Sequence, residues 1–173
     1  MSRVLRNPAP ALPDPPATPS APGSRPPSAA EWLDSSACFQ LKRAQSRLTH
    51  DFAARFHDRG VTSPQLTLLL LIAAHPGISQ SALAHAVGIE RSTLGEFVDR
   101  FEHQELVERR ASTEDRRSHA LHLTPHGREL LDELMPEAIL HEAQVLAPLS
   151  QVERRTLFDL LARIANAPGG GVP

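Results

Sequence analysis

The 173-residue chain contains no tyrosine, one cysteine and one tryptophan, and aromatic residues make up only 4% of it. A single cysteine excludes an internal disulfide framework and fits a reducing cytoplasm. No apolar run approaches the roughly 20 residues that cross a bilayer, so no membrane segment is expected. Positive charge is also scarce. Eighteen lysines and arginines stand against twenty aspartates and glutamates, a net charge of −2. Any binding to a polyanion must therefore rest on positive charge concentrated in one place. There is no glycine-rich phosphate loop, no acid and base paired at a defined spacing and no nucleophile motif, so neither catalysis nor a cofactor is expected. The nine histidines are scattered. His119 and His122 sit three apart on a strand pattern and point to opposite faces. His50 and His57 share a helix face without a third ligand, so a metal site is not expected.

A hydrophobic fraction of 40% is enough for one globular core in a chain of this length. Nine of the sixteen prolines fall before Ser28. Residues 1–27 therefore read as a disordered tail of polyproline character, with a proline-rich partner motif as the sharper alternative. Ser28-Ala29-Ala30-Glu31 is a capping-box pattern that opens a short helix through Trp32 and Leu33. From Ser36 a long helix is expected to about Arg59, ended by Gly60. Leu41, Ala44, Leu48 and Phe52 form its apolar stripe, and Phe39, Ala53 and Phe56 widen it. A stripe this wide predicts contact with two surfaces, one of them a second subunit. Ser63-Pro64 reads as the cap of the next helix, which is apolar nearly all round from Leu66 to Ala74 and so should be buried.

The stretch from Gly77 to Gly127 organises the rest. Ser79 sits where an N-cap belongs, and Leu83, Ala84 and Val87 make the apolar stripe of a first short helix. Gly88 is a helix stop free to take a positive φ. Leu94, Phe97, Val98 and Phe101 mark the buried face of a second helix. Its other face carries Arg91, Ser92, Gly95, Glu96, Asp99 and Arg100. Small, polar and charged groups of this kind suit a helix that enters a major groove and reaches base edges. Leu106 to Arg110 and His119 to Leu123 read as two strands around a polar, arginine-rich loop. Arg116 and Arg117 in that loop fit the negative potential of a minor groove, with Asp115 able to orient one guanidinium.

These features together resemble the winged helix-turn-helix of the MarR family (multiple-antibiotic-resistance type regulators). The resemblance rests on Pro76-Gly77-Ile78-Ser79-Gln80, Ile89-Glu90-Arg91-Ser92-Thr93, Leu106-Val107-Glu108-Arg109, Asp115-Arg116-Arg117 and Leu123-Thr124-Pro125-His126-Gly127. It runs from about Cys38 to about Ile164. The family pattern has glycine before the Leu-Val pair, where this chain has Glu105, so a differently built turn into the wing is expected.

After the wing, Thr124-Pro125 starts a helix to about Ala147, with Pro136 expected to kink it. Ser150 with Glu153 opens a last helix through Ile164. The fold class expected is mainly α with a small β-wing: a winged helix-turn-helix at 61–127, dimerisation helices at 28–60 and 128–166, and disordered tails at 1–27 and 167–173. The resemblance implies a homodimeric transcriptional regulator, most often a repressor, bound to a palindromic site on double-stranded DNA. Ser79, Gln80, Arg91, Ser92, Thr93, Gly95, Glu96, Arg100, Asp115, Arg116 and Arg117 are the candidate DNA contacts, with Arg100 on a phosphate. It also implies a small aromatic or phenolic effector between the dimer and DNA lobes, with Phe39, Arg43 and Phe56 as lining candidates. An alternative is a peroxide-sensing thiol at Cys38, favoured by a helix N-terminus and Lys42 one turn away. The absence of tyrosine opposes it, since that branch of the family uses tyrosine hydroxyls to hold the thiolate. A winged-helix module that grips protein, and a metal-sensing protein, are the remaining alternatives.

Overall fold

The computed structural model describes residues 25–111 and 119–167. In chain order the elements are α1 (Ala29–Ser35), α2 (Ala37–Arg55), α3 (Ser63–Ala74), β1 (Ile78–Ser79), α4 (Gln80–Val87), α5 (Arg91–His103), β2 (Val107–Ala111), β3 (His119–Leu123), α6 (Pro125–Val145) and α7 (Gln151–Ala165). The fold is mainly helical with a small antiparallel wing, as the sequence pattern indicates. The chain divides into two compact units, Met1–Arg47 and Leu48–Pro173.

Local side-chain chemistry sets most helix starts. Ser28 and Ser150 form complete capping boxes with Glu31 and Glu153. The hydrogen bonds that Glu153 takes from Ser150, side chain first and then backbone, hold its carboxyl below the ordinary value, and Ser28 does the same to Glu31. The cap of α3 is Thr62, not Ser63: Thr62 accepts from Gln65 N while the Gln65 side chain accepts from Thr62 N at 2.8 Å. Ser63 and Pro64 are thus the first two helical residues, where a missing N–H costs nothing. The long first helix also ends earlier than its pattern indicates. It stops at Arg55, and His57–Arg59 form a separate 3₁₀ turn before Gly60. Phe56 leaves the α-helix there and drops into the core, where its ring stacks on Phe52 at 4.1 Å between centroids. Helix α6 runs on through Pro136 to Val145.

The core of the second unit joins Phe52 and Phe56 to α3 (Leu66, Leu68, Leu69, Ile72), α4 (Leu83, Ala84) and α5 (Leu94, Val98, Phe101). Leu106, Val107 and Leu121 close it from the wing, and Leu131 and Leu134 from α6. Burying each large apolar side chain of this kind stabilises by about 1.5–3 kcal/mol. The sheet has the strand order β1-β3-β2, all antiparallel. Ile78 lies opposite Leu121, and Val107 opposite Leu123. Strand β1 has no signature in the sequence because two residues are too few to show alternation.

The turn from α5 into β2 does not depart from the conformation glycine favours. Glu105 itself adopts φ +56°, the left-handed state that an L side chain takes at a cost of about 1–2 kcal/mol. The surroundings hold it there. The Thr124 hydroxyl donates to the Glu105 carbonyl and accepts from Gly127 N, while Thr124 N donates to Leu106 O at 3.1 Å. Gly127 is buried, and a Cβ on it would stand 2.0 Å from Leu106 O. Glycine therefore lets the start of α6 lie directly on the backbone leading into the wing.

Candidate nucleic-acid interface

Helices α4 and α5 form the two arms of a tight helix-turn-helix. The Ser79 hydroxyl caps α4 by accepting from Ala82 N at 3.2 Å, so Ser79 has a structural task as well as its expected place on DNA. Gln80, the first residue of α4, is half-buried. Gly88 ends α4 at φ +68°, and Ile89 N returns a hydrogen bond to Ala84 O, which fixes the angle at which α5 departs.

Helix α5 buries Leu94, Val98 and Phe101 and half-buries Phe97. Arg91, Ser92, Thr93, Glu96 and Arg100 are all exposed on the opposite side. The structure thus brings five of the expected contacts onto one exposed polar surface. Two features distinguish this helix. First, α1, α3, α4, α6 and α7 each begin with a side-chain cap, whereas Glu90 before α5 makes none. The first-turn amides of α5 are left for an outside acceptor. With no acidic residue in that turn and Arg91 leading it, the acceptor that fits is an anion such as a DNA phosphate. Second, Gly95 lies within the helix although a Cβ there would meet nothing within 4 Å. Glycine in a helix interior costs about 1 kcal/mol relative to alanine, so packing does not account for it.

Asp99 belongs to the same face in the sequence but is already engaged. Arg109 on β2 donates to Asp99 Oδ1 at 2.6 Å and also pairs with the Glu102 carboxylate, which takes Arg109 N as well at 3.2 Å. This cluster locks the first wing strand to the C-terminal half of α5. Arg110 is likewise paired, with Glu108 two residues before it. The tie of Arg109 to Asp99 and Glu102, ten and seven residues away, joins a strand to a helix, so no single periodicity in the sequence signals it. Strands β2 and β3 pair out to Ala111 and His119. Asp115, Arg116 and Arg117 lie outside the described residues.

The expected effector residues fall in different settings. Phe39 and Arg43 meet on α2, with the guanidinium carbon 5.7 Å from the ring centroid. Phe56 is only 1% exposed and serves the core of the second unit. Cys38 is exposed at the second residue of α2. Among the described residues, no three His, Cys, Asp or Glu side chains cluster to hold a metal ion.

The MarR family profile matches residues 61–119, the segment from the start of α3 to the second wing strand. A protein of Thauera aromatica assigned to regulation of the hcr operon is 37% identical over 127 residues, 73% of this chain and 76% of that one.

The chain belongs to the MarR family. Solved members superpose over most of its length. The transcriptional repressor CouR bound to a 23-mer DNA duplex is 34% identical with a TM-score of 0.72, covering 82% of this chain and all of that one. CouR bound to p-coumaroyl-CoA aligns with a TM-score of 0.69. PcaV from Streptomyces coelicolor, in complex with its natural ligand, is 29% identical with a TM-score of 0.71, covering 78% of this chain and 95% of that one.

Proposed function

We propose that this transcriptional regulator of the MarR family grips a two-fold-symmetric operator as a homodimer and represses until a small ring-bearing acid releases it. The uncapped, exposed start of α5 carries the reading. Arg91, Ser92 and Thr93 stand at a helix start whose amides lack a side-chain cap, on a face without apolar bulk. Arg91 and Ser92 read base edges, Glu96 accepts from a cytosine amine, Arg100 takes a phosphate, and Arg116 and Arg117 enter the minor groove.

Dimerisation follows from apolar surface left over after the second unit is packed. Helix α7 buries no residue at all, yet Val152 is 72% and Ile164 61% exposed. Phe158, Leu160, Ile139 and Leu140 are exposed as well. Apolar surface this extensive marks an interface, and a two-fold partner sets two recognition helices about one DNA turn apart. The effector response is supported by CouR and PcaV, each solved with a bound ligand, and by the Phe39–Arg43 pair, whose ring and guanidinium suit an aromatic anion. These relatives favour release by a small molecule over a thiol switch at Cys38.

Selection of bound duplexes from random DNA at fixed salt tests the reading. Enrichment of an inverted repeat, lost when aromatic acids are added, is the expected outcome. Recovery of no common sequence would refute it.

A further inference from the structure

Helix α5 carries three acids, Glu96, Asp99 and Glu102, and two of them are already engaged. Arg109 on β2 holds both Asp99 and Glu102. Glu96 is exposed and has no ion pair or hydrogen bond among the described residues. Arg100, one turn further on, is exposed and equally without a partner among those residues. Acid first and base four residues later is the favourable order for a pair within a helix, yet the two side chains do not close on each other. Ser92, Glu96 and Arg100 follow one another at that same spacing, so they form a row along one side of α5. A free carboxylate in the middle of this row is a cost on any surface that meets DNA. Phosphates repel it, and a net charge of −2 leaves no surplus of positive charge to mask it.

The edges of the bases decide what can offset that cost. In the major groove guanine presents N7 and O6, and thymine O4, all acceptors that repel a carboxylate. Adenine offers its N6 amine, but with the N7 acceptor beside it. Cytosine alone presents a donor, its N4 amine, without an acceptor of its own. From this arrangement we infer that Glu96 is a discriminating residue: it admits duplexes that place a cytosine amine under the middle of α5 and weakens binding to every other duplex. The inference rests on the operator binding proposed above. It adds to the cytosine contact named there a second role, the exclusion of random DNA. Arg91 and Arg100 raise affinity for any duplex, whereas a carboxylate raises the ratio between the right duplex and the rest. A homodimer sets one Glu96 over each half-site, so the requirement is for two cytosines at mirrored positions.

The test uses the full chain and a selected duplex in which each half-site position is varied singly, with anisotropy read at one salt concentration. The parent should prefer cytosine by about ten-fold or more at one position of each half-site. Glu96→Ala should lose that preference, keep its preferences at the other positions and bind a scrambled duplex several-fold more tightly. Because Glu96 makes no bond among the described residues, the melting temperature of this variant should not fall. Asp99→Asn alters the acid that Arg109 holds, and should change base preference at no single position. An unchanged preference map in Glu96→Ala, a loss spread evenly over all positions, or weaker binding of the scrambled duplex would each overturn the proposal. So would relaxation of the same position by Asp99→Asn. If the parent selects an inverted repeat and Glu96→Ala selects it with the same ratio to scrambled DNA, the operator reading stands and the role of Glu96 falls. If the parent selects no repeat, both fall.

Discussion

Gly95→Ala is the sharpest single substitution, because stability and DNA binding should move in opposite directions. The residue lies in the second turn of α5 with an ordinary negative φ, and an added Cβ meets nothing within 4 Å. Alanine therefore brings its full advantage of about 1 kcal/mol over glycine in a helix interior, with no clash to offset it. In a chain of this size that raises the melting temperature by about 2–4 °C. The same methyl group stands on α5 beside Arg91 and Ser92. If that surface lies against DNA, the helix must ride outward and lose contacts worth about 1–3 kcal/mol, or roughly ten- to a hundred-fold in affinity. Thermal melting at one fixed protein concentration measures the first effect, since a dimer's melting point depends on concentration. Fluorescence anisotropy with a selected duplex measures the second. A variant that melts lower than the parent would contradict the open space around Gly95. A variant that melts higher but binds its duplex as tightly as the parent would show that this part of α5 does not approach DNA.

Gly127→Ala, the same substitution 32 positions on, should do the reverse. Its Cβ would lie 2.0 Å from Leu106 O, so α6 or the wing backbone must move and the 3.1 Å bond from Thr124 N to Leu106 O is lost. We expect a loss of about 2–4 kcal/mol, read as a lower denaturation midpoint. Glu105→Gly should gain about 1 kcal/mol in the same assay, because glycine adopts φ +56° without strain. Arg109→Ala removes the tie between β2 and both Asp99 and Glu102. Since Asp99 is largely exposed, the stability cost is only about 1 kcal/mol and shrinks at high salt, while operator affinity falls because the wing loses its anchor. The capping box of α7 makes that helix acid-sensitive. The Glu153 carboxyl is held below its ordinary value by Ser150, so its stabilising effect is present above the unfolded value and is lost as pH falls toward the folded one. Glu153→Gln should therefore flatten the decline of helical circular dichroism through the acidic range, and an unchanged profile would count against the box.

What was legible in the sequence was periodic or local. The apolar spacing of Leu94, Val98 and Phe101 fixed the buried side of α5, and hence its polar side, without any knowledge of partners. The caps at Ser28, Ser79, Thr124 and Ser150 were legible because each acts within three residues of itself. The cap at Thr62 was displaced by one residue, since Ser63-Pro64 offers an equally good local pattern and only the Gln65 side chain distinguishes them. The end of α2 was misplaced because the stripe continues to Phe56, whereas the core draws that ring out of helical register. Contacts between residues far apart in sequence left no trace. The grip of Thr124 on Glu105, the packing of Gly127 on Leu106 and the pairing of Arg109 with Asp99 all depend on which elements meet. Glu105 shows the limit most plainly. Its residue type argues against a left-handed turn, and the tertiary bonds around it override that preference.

The central claim is that two copies of this chain read one duplex of mirrored halves through α5. Sedimentation of the purified protein with a selected inverted-repeat duplex and with a scrambled duplex of the same length, at one salt concentration, measures it directly. The account predicts two chains per duplex and at least a thousand-fold preference for the repeat, the lower end of the range for specific regulators. One chain per duplex, or equal affinity for both sequences, would contradict it.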